Sequence, residues 1–368
     1  MEFLTKQQLS TMMDRVSLAA GRGSASQSYR DQISGINMLN IHPTTPMSKE
    51  RAGLTFFTRP KLNLSDANLR AWPQFYDIIA DQTQMSLLSI IRSLLDPVGC
   101  WNADKSSPLI DNFSPFIPWL TNSMISQSGW PETLVGTYTS AEGNHHEAYT
   151  IIDDTIKNLR VWSLNSSHRN MPGNFIGMLL YIWVAAASLT FEGDMVPYPD
   201  SIRNRRRNYN SRIYRFSTDD KMQYIEEWWS TIVFPYMAPT AVNANYSIDN
   251  PFNTENQPVS VSWQCSACET YDPRVLADFN RVSIYFNPYL HPSVRDKYMK
   301  KVDIDQWPRF NYKCYMLINV DTKEIERYVS LDVYNQVNET LMSRIFMPGG
   351  NGTDIYTGPE GNVNNAVV

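Results

Sequence analysis

Three clusters in this 368-residue sequence combine residue types and spacings that could do chemistry. His145-His146-Glu147 sets two imidazoles beside a carboxylate. On a strand, His145 and Glu147 would share a face and could hold a divalent metal. A zinc site needs a third and fourth ligand and a supporting shell, and no neighbour supplies them. The solvated flank of a hairpin is therefore the preferred reading, and the order of residues is not the helical HExxH. Cys265-Ser266-Ala267-Cys268 is a lone CxxC, with Cys100 and Cys314 far off in sequence. Structural zinc takes two such pairs or added histidines. A redox pair opens a helix after a strand; here Trp263-Gln264 precede the pair, but Pro273 and a short helix follow. Two buried thiols are expected, with no metal and no cofactor. The sequence offers neither a GxSxG elbow nor a phosphate loop at Gly21-Arg22-Gly23-Ser24.

The third cluster is cationic. Arg203, Arg205, Arg206, Arg207, Arg212 and Arg215 place six arginines in thirteen residues, interleaved with Tyr209 and Tyr214. Such a run could track a phosphate backbone, with the tyrosines as stacking platforms. It could also be a solvated loop, or bind carboxylates of another subunit through the guanidinium fork. The net charge of −5 argues against a surface built to coat nucleic acid or an anionic membrane. Contact with a neighbouring subunit is the preferred reading.

These clusters must be held by a chain that is 42% hydrophobic, 19% charged and 12% aromatic, a globular balance with excess interface-forming rings. Four scattered cysteines do not make a disulfide framework. The first residues lack the basic-then-apolar pattern of a signal peptide, so synthesis in a reducing cytoplasm is expected. Phe175 to Phe191 is 17 residues without a charge, at the short edge of a membrane span. Glu192 and Asp194 follow it at once, and a helix buried inside a protein is the preferred reading.

The periodicity predicts a helix over 6–20, then a polar stretch to about residue 50. Leu54 to Phe57 reads as a strand ended by Arg59-Pro60. Ser65 is placed to cap a helix carrying Leu69, Trp72, Phe75, Tyr76 and Ile79. A second helix from about Thr83 buries Leu87, Leu88, Ile91, Leu94 and Leu95 and ends at Asp96-Pro97. Pro108 to Pro131 reads as loop. Leu134–Ser140 and His145–Asp153 flank a hairpin turn. The spacing of Met222, Ile225, Trp229 and Ile232 predicts a helix capped by Thr218 and Asp219. Val259 to Gln264 is strand-like, Pro273 to Phe279 a short helix, and Arg281 to Phe286 a returning strand. Tyr315–Val320 and Ile325–Leu331 form a late hairpin, with Ile325, Val329 and Leu331 facing inward. Beyond Pro348 the chain is a Gly- and Asn-rich tail or arm.

Several stretches resemble virion structural proteins encoded by large, myovirus-like (jumbo) tailed phages. They are Leu54-Thr55-Phe56-Phe57-Thr58-Arg59-Pro60-Lys61-Leu62-Asn63-Leu64, then Asn208 to Phe216 with Phe234-Pro235-Tyr236-Met237-Ala238-Pro239, and Asp272 to Asn280. None is a catalytic motif, so no active-site residue carries over. The resemblance implies an assembly role in the tail or baseplate.

The expected class is α+β, with mixed helices and antiparallel hairpins. An N-terminal helix and arm over 1–50 would lead into a mainly helical core with a hairpin over 51–240. An α+β region over 241–347 and a tail over 348–368 would follow. The expected function is that of a non-enzymatic virion protein present in multiple copies, whose partners are other tail or baseplate subunits, with no membrane involvement. Two alternatives stand beside it: a head–tail neck protein contacting DNA through Arg203–Arg215, and a metal-dependent cytosolic hydrolase using His145, His146 and Glu147.

Overall fold

The computed structural model of the chain describes residues 52–345, apart from 71, 81–82, 104, 155–160, 171–172, 204–207, 241–257 and 312. The helix expected over 6–20, the polar segment after it and the Gly/Asn-rich tail lie outside these residues. The class is α+β, as the sequence indicates.

A six-stranded sheet carries the fold. Its strands are β1 (Ala52–Phe57), β2 (Met124–Ser128), β5 (Val161–His168), β6 (Ser211–Thr218), β7 (Ile225–Pro235) and β8 (Val259–Thr270), in the order β1-β6-β7-β8-β5-β2. β5 runs antiparallel to both β2 and β8, and β7 is antiparallel to β8. The described part divides into two units. One comprises Ala52–Leu54 with Phe216–Glu227; the other begins at Thr55, runs to Arg215 and resumes at Trp228. Within the first, the Asp219 carboxylate accepts from the Gln223 and Tyr224 N–H groups at 2.6 and 3.0 Å. Asp219 thereby closes a turn instead of capping a helix. The helix expected over Met222–Ile232 is in fact β7. Its 3–4 spacing mimics a helical stripe, but Trp228, Trp229, Thr231, Ile232, Val233 and Phe234 are β-branched or aromatic and suit a pleated surface.

In the second unit, alternate residues of the sheet face one core. Phe57, Leu164, Ile213, Val233, Val261, Trp263 and Cys265 lie in one cluster with α1 (Leu87–Leu95) and α2 (Phe175–Glu192). α1 starts where the Ser86 hydroxyl accepts from the Ser89 N–H at 3.0 Å. α2 is the charge-poor segment, long and apolar enough to cross a bilayer. Here it buries Ile176, Leu179, Leu180, Ile182, Trp183, Ala186 and Leu189. Each of its Leu and Ile side chains contributes about 1.5–3 kcal/mol when fully buried. Trp183 meets Trp263 edge-on at 6.0 Å, and its indole N–H donates to the Tyr209 carbonyl at 2.8 Å. The helix stops at Gly193, whose φ of +92° favours a residue without Cβ.

The other sheet face is covered by α3 (Pro273–Phe286), where Phe279 packs on Phe56, Phe116 and Tyr214 at 5.2–5.3 Å. α3 is one helix. The strand expected over Arg281–Phe286 does not form, because Val275, Leu276, Phe279 and Ser283 keep a helical buried face to its end. Asp272 caps it and Pro288 lies just past it. The helix expected to carry Leu69–Ile79 is broken into Asp66–Leu69, the 3-10 turn Pro73–Phe75 and Tyr76–Ala80. Pro73 starts a new turn instead of joining an old one. The 108–131 segment, read as loop, contains helix Pro118–Ser123 and β2, both too short to show periodicity.

Arg59, from the first resembling stretch, is buried. Its guanidinium donates to the Ser93 carbonyl at 2.6 Å, Leu94 at 3.4 Å and Ser114 at 3.0 Å. Two of these carbonyls end α1, where a cation suits the helix dipole. Burial lowers its pKa to about 10.

A three-stranded antiparallel sheet follows, β10 (Tyr315–Ile318), β11 (Ile325–Ser330) and β9 (Met299–Val302), in the order β10-β11-β9. Asn280 of α3 clamps its edge, donating to the Ile318 carbonyl at 2.6 Å and accepting from its N–H at 2.8 Å. The late hairpin forms as expected, but both faces of β11 are covered. Tyr328 packs with Leu290, Met299 and Leu317, while Val329 packs with Val302 and Phe310. Tyr328 therefore does not face water, and Leu331 is the first residue of α4 (Leu331–Ile345) instead of part of the strand.

Candidate assembly surfaces

The arginine cluster separates into parts with different fates. Arg203 lies exposed at the end of the short helix Pro199–Arg203, paired with Asp200 at 2.6 Å. Arg205, Arg206 and Arg207 lie outside the described residues. Arg212, on β6, finds its carboxylates within its own chain. Its guanidinium donates to Asp278 at 2.6 Å and Glu269 at 2.5 Å, and its Nε to the Ser230 hydroxyl at 2.8 Å. The Tyr214 hydroxyl adds a bond to the same Asp278 oxygen at 2.6 Å, and Arg281 pairs with the other. Burial pushes the Asp278 carboxyl up, but Tyr214 and the two guanidinium groups outweigh it and hold it below the ordinary value. Strand and helix are thus joined by a hydrogen-bonded ion network. Arg215 donates to the Thr55 hydroxyl at 3.0 Å, and burial lowers its pKa.

The His145-His146-Glu147 cluster lies in a turn, and not on a strand. The Glu147 carboxylate folds back to accept from the His145 backbone N–H at 2.8 Å. It fills the space beside Gly143, where a Cβ would come within 2.0 Å of it. His146 meets Glu142 at 3.3 Å on the open surface. His145 and Glu147 therefore do not share a strand face, and among the described residues no group of three or more His, Cys, Asp or Glu is placed to hold a metal. Cys265 and Cys268 are buried thiols in β8, flanking a register shift at Ala267 with φ +58°. Burial pushes the Cys265 thiol up to about 12, away from the nucleophilic thiolate.

The turn with the histidines caps β3 (Thr137–Thr139) and β4 (Thr150–Ile152), an antiparallel pair with Tyr138 opposite Ile151. Every residue of both strands is exposed. Tyr149 continues the ribbon, donating its N–H to the Ser140 hydroxyl at 3.0 Å. Tyr138 and Ile151 share one face with Tyr149 by the twofold period; Ile152, on the other face, is 71% exposed. An isolated two-stranded hairpin is at best marginally stable in water, and here it presents large apolar side chains. The sequence signalled the hairpin but not its exposure, because strand pairing is local and burial is not.

β2 is the last strand of the six-stranded sheet, with Ile125 54% exposed. Among the described residues no strand pairs with its outer edge, and an edge of this kind is a template for another chain.

No curated protein matches the chain. Among solved structures it is similar to the tube-terminating cap of the anti-feeding prophage, at 12% identity over 43% of this chain and 82% of that one, TM-score 0.25. It is also similar to the PVC sheath/tube terminator of an extracellular contractile injection system in the extended state, at 11% identity over 43% and 89%, TM-score 0.23. A family model described as "Putative phage tail tube protein" matches residues 1–344. The chain belongs to this phage tail tube protein family and is a structural component of the virion tail.

Proposed function

We propose that the chain builds the tail by packing against copies of itself and neighbouring tail subunits, in the tube or at the adjoining baseplate, and carries out no reaction of its own. The observation that supports this reading is the β3–β4 hairpin, whose apolar side chains are exposed on both faces. Such surface costs free energy in a free monomer and becomes favourable when a partner covers it. The outer edge of β2, unpaired among the described residues, adds backbone donors and acceptors for the same purpose.

The arginine cluster enters the proposal in reduced form. Arg212 and Arg215 are held by part-buried partners in their own chain, so contact with a neighbour is proposed for Arg205, Arg206 and Arg207 and for Arg203, whose pair with Asp200 is on the open surface. Replacing Arg205, Arg206 and Arg207 together by Gln is expected to leave the monomer folded and to lower incorporation into tails. Mass spectrometry of washed tail particles tests the function itself. The chain should be present at a fixed copy number, and its absence would contradict the proposal.

A further inference from the structure

His168, the last residue of β5, belongs to a chain of hydrogen bonds that crosses the large sheet. The Trp263 indole N–H of β8 donates to the Ser166 hydroxyl at 2.7 Å. Ser166 lies 2.8 Å from Nε2 of His168, and the Ser123 hydroxyl lies 3.1 Å from Nδ1. All four residues are buried. The direction of the chain follows from its first member. An indole N–H only donates, so Ser166 accepts from Trp263 and turns its own proton to Nε2. Nε2 is therefore the bare nitrogen, and the ring proton is on Nδ1, facing Ser123. The Leu120 carbonyl, which only accepts, also takes a bond from the ring.

This chain holds the start of β2. β2 is the last strand of the sheet, none of its five residues is fully buried, and its register with β5 shifts between Met124 and Ser126. Ser123, immediately before it, is buried and fastened twice. Its carbonyl accepts from the Arg169 N–H at 2.7 Å, and its hydroxyl from His168. A strand with so little burial of its own belongs to the part of a fold that opens before the rest.

We infer that the neutral His168 ring is a latch that fastens the edge strand β2 to the sheet, and that acid opens it. Protonation adds a second N–H, at Nε2, pointing at the Ser166 proton. If Ser166 turns to accept it, both its lone pairs are occupied and its own proton must find a new acceptor in the core. The cation also lacks a counter-charge. β1 presents Phe57 to the ring at 6.2 Å, the helix Pro118–Ser123 presents Leu120 and Ser123, β5 presents Ser166, and β8 supplies Trp263 to Ser166. Among the described residues no charged or titratable group acts on the ring. Burial accordingly lowers its pKa from 6.5 to about 4. A ring exposed by opening takes up its proton near 6.5, and the latched ring only near 4. The latch is thus closed at neutral pH, and the open form gains about tenfold for each pH unit across that window. β2 leads into the β3–β4 hairpin, so the same protonation loosens the root of that hairpin.

Hydrogen exchange of the free full-length chain from neutral pH into acid, corrected for the intrinsic rate, tests the latch. Protection of the β2 amides bonded to β5 should fall about tenfold per pH unit below 6.5, while β8 stays protected. Protection of β2 that does not change with pH, or that falls only in step with β8, overturns the inference. Ser123→Ala should lower β2 protection about tenfold at neutral pH and leave β8 unchanged, the scale of one lost hydrogen bond; equal protection in this variant contradicts the latch. Nitrogen-15 spectra of the histidine-labelled wild-type chain at neutral pH read the ring directly. They should show an imidazole protonated at Nδ1 and bare at Nε2, and its absence overturns the assignment. These measurements need no assembled tail, so their failure leaves the proposed function standing.

Discussion

The molecule contains two short antiparallel hairpins with opposite fates. β10–β11 is joined by β9, clamped by Asn280 and covered on both faces, so that Tyr328 and Val329 on opposite sides of one strand are each about 5% exposed. β3–β4 has the same pairing and similar side chains, yet every residue is exposed. Turn chemistry and strand propensity make both hairpins. A third strand and a covering helix decide which one becomes core. The first hairpin belongs to the folded monomer; the second has its apolar surface ready for a partner.

The largest expected effect tests the packed hairpin. Val329→Asp places an unpaired charge between Val302 and Phe310 and should cost about 3–5 kcal/mol in denaturant unfolding. An unchanged midpoint would show that this face is not core.

The next effect belongs to His168, buried in the large sheet between the Ser123 and Ser166 hydroxyls at 3.1 and 2.8 Å. Burial lowers its pKa from 6.5 to about 4. The unfolded chain takes up the proton first, so this contribution is complete above pH 6.5 and is lost as pH falls towards 4. The total is roughly 3 kcal/mol. His168→Gln should flatten the stability profile across that window, and an unflattened profile would contradict the assignment.

Arg212→Leu removes the donor shared by Asp278 and Glu269 and should cost about 1–3 kcal/mol. The smallest effect sharpens the contrast. Ile151→Asp in the exposed hairpin should change monomer stability by no more than about 0.5 kcal/mol. A loss as large as that of Val329→Asp would erase the distinction between the hairpins.

What was legible in the sequence follows the same physics. Both hairpins, α1, α2 and the buried CxxC could be read because turns, caps and apolar runs are local. β7 reads as a helix in the sequence because Met222, Ile225, Trp229 and Ile232 happen to fall at helical spacing; the alternation that marks a strand is set by pairing with β8, distant in sequence. α3 looks shorter in the sequence because Val282, Ile284 and Phe286 alternate like a strand. Of the candidate surface, Arg212 looked available for a neighbour, but Asp278 and Glu269, more than fifty residues away, meet it through the fold.

Hydrogen–deuterium exchange on the free chain and on assembled tails tests the central claim that the exposed hairpin is an assembly element. Amides of β10 and β11 should be protected in both states. Those over 137–152 should exchange rapidly in the free chain and become protected in the tail. Equal, rapid exchange over 137–152 in both states would contradict the account.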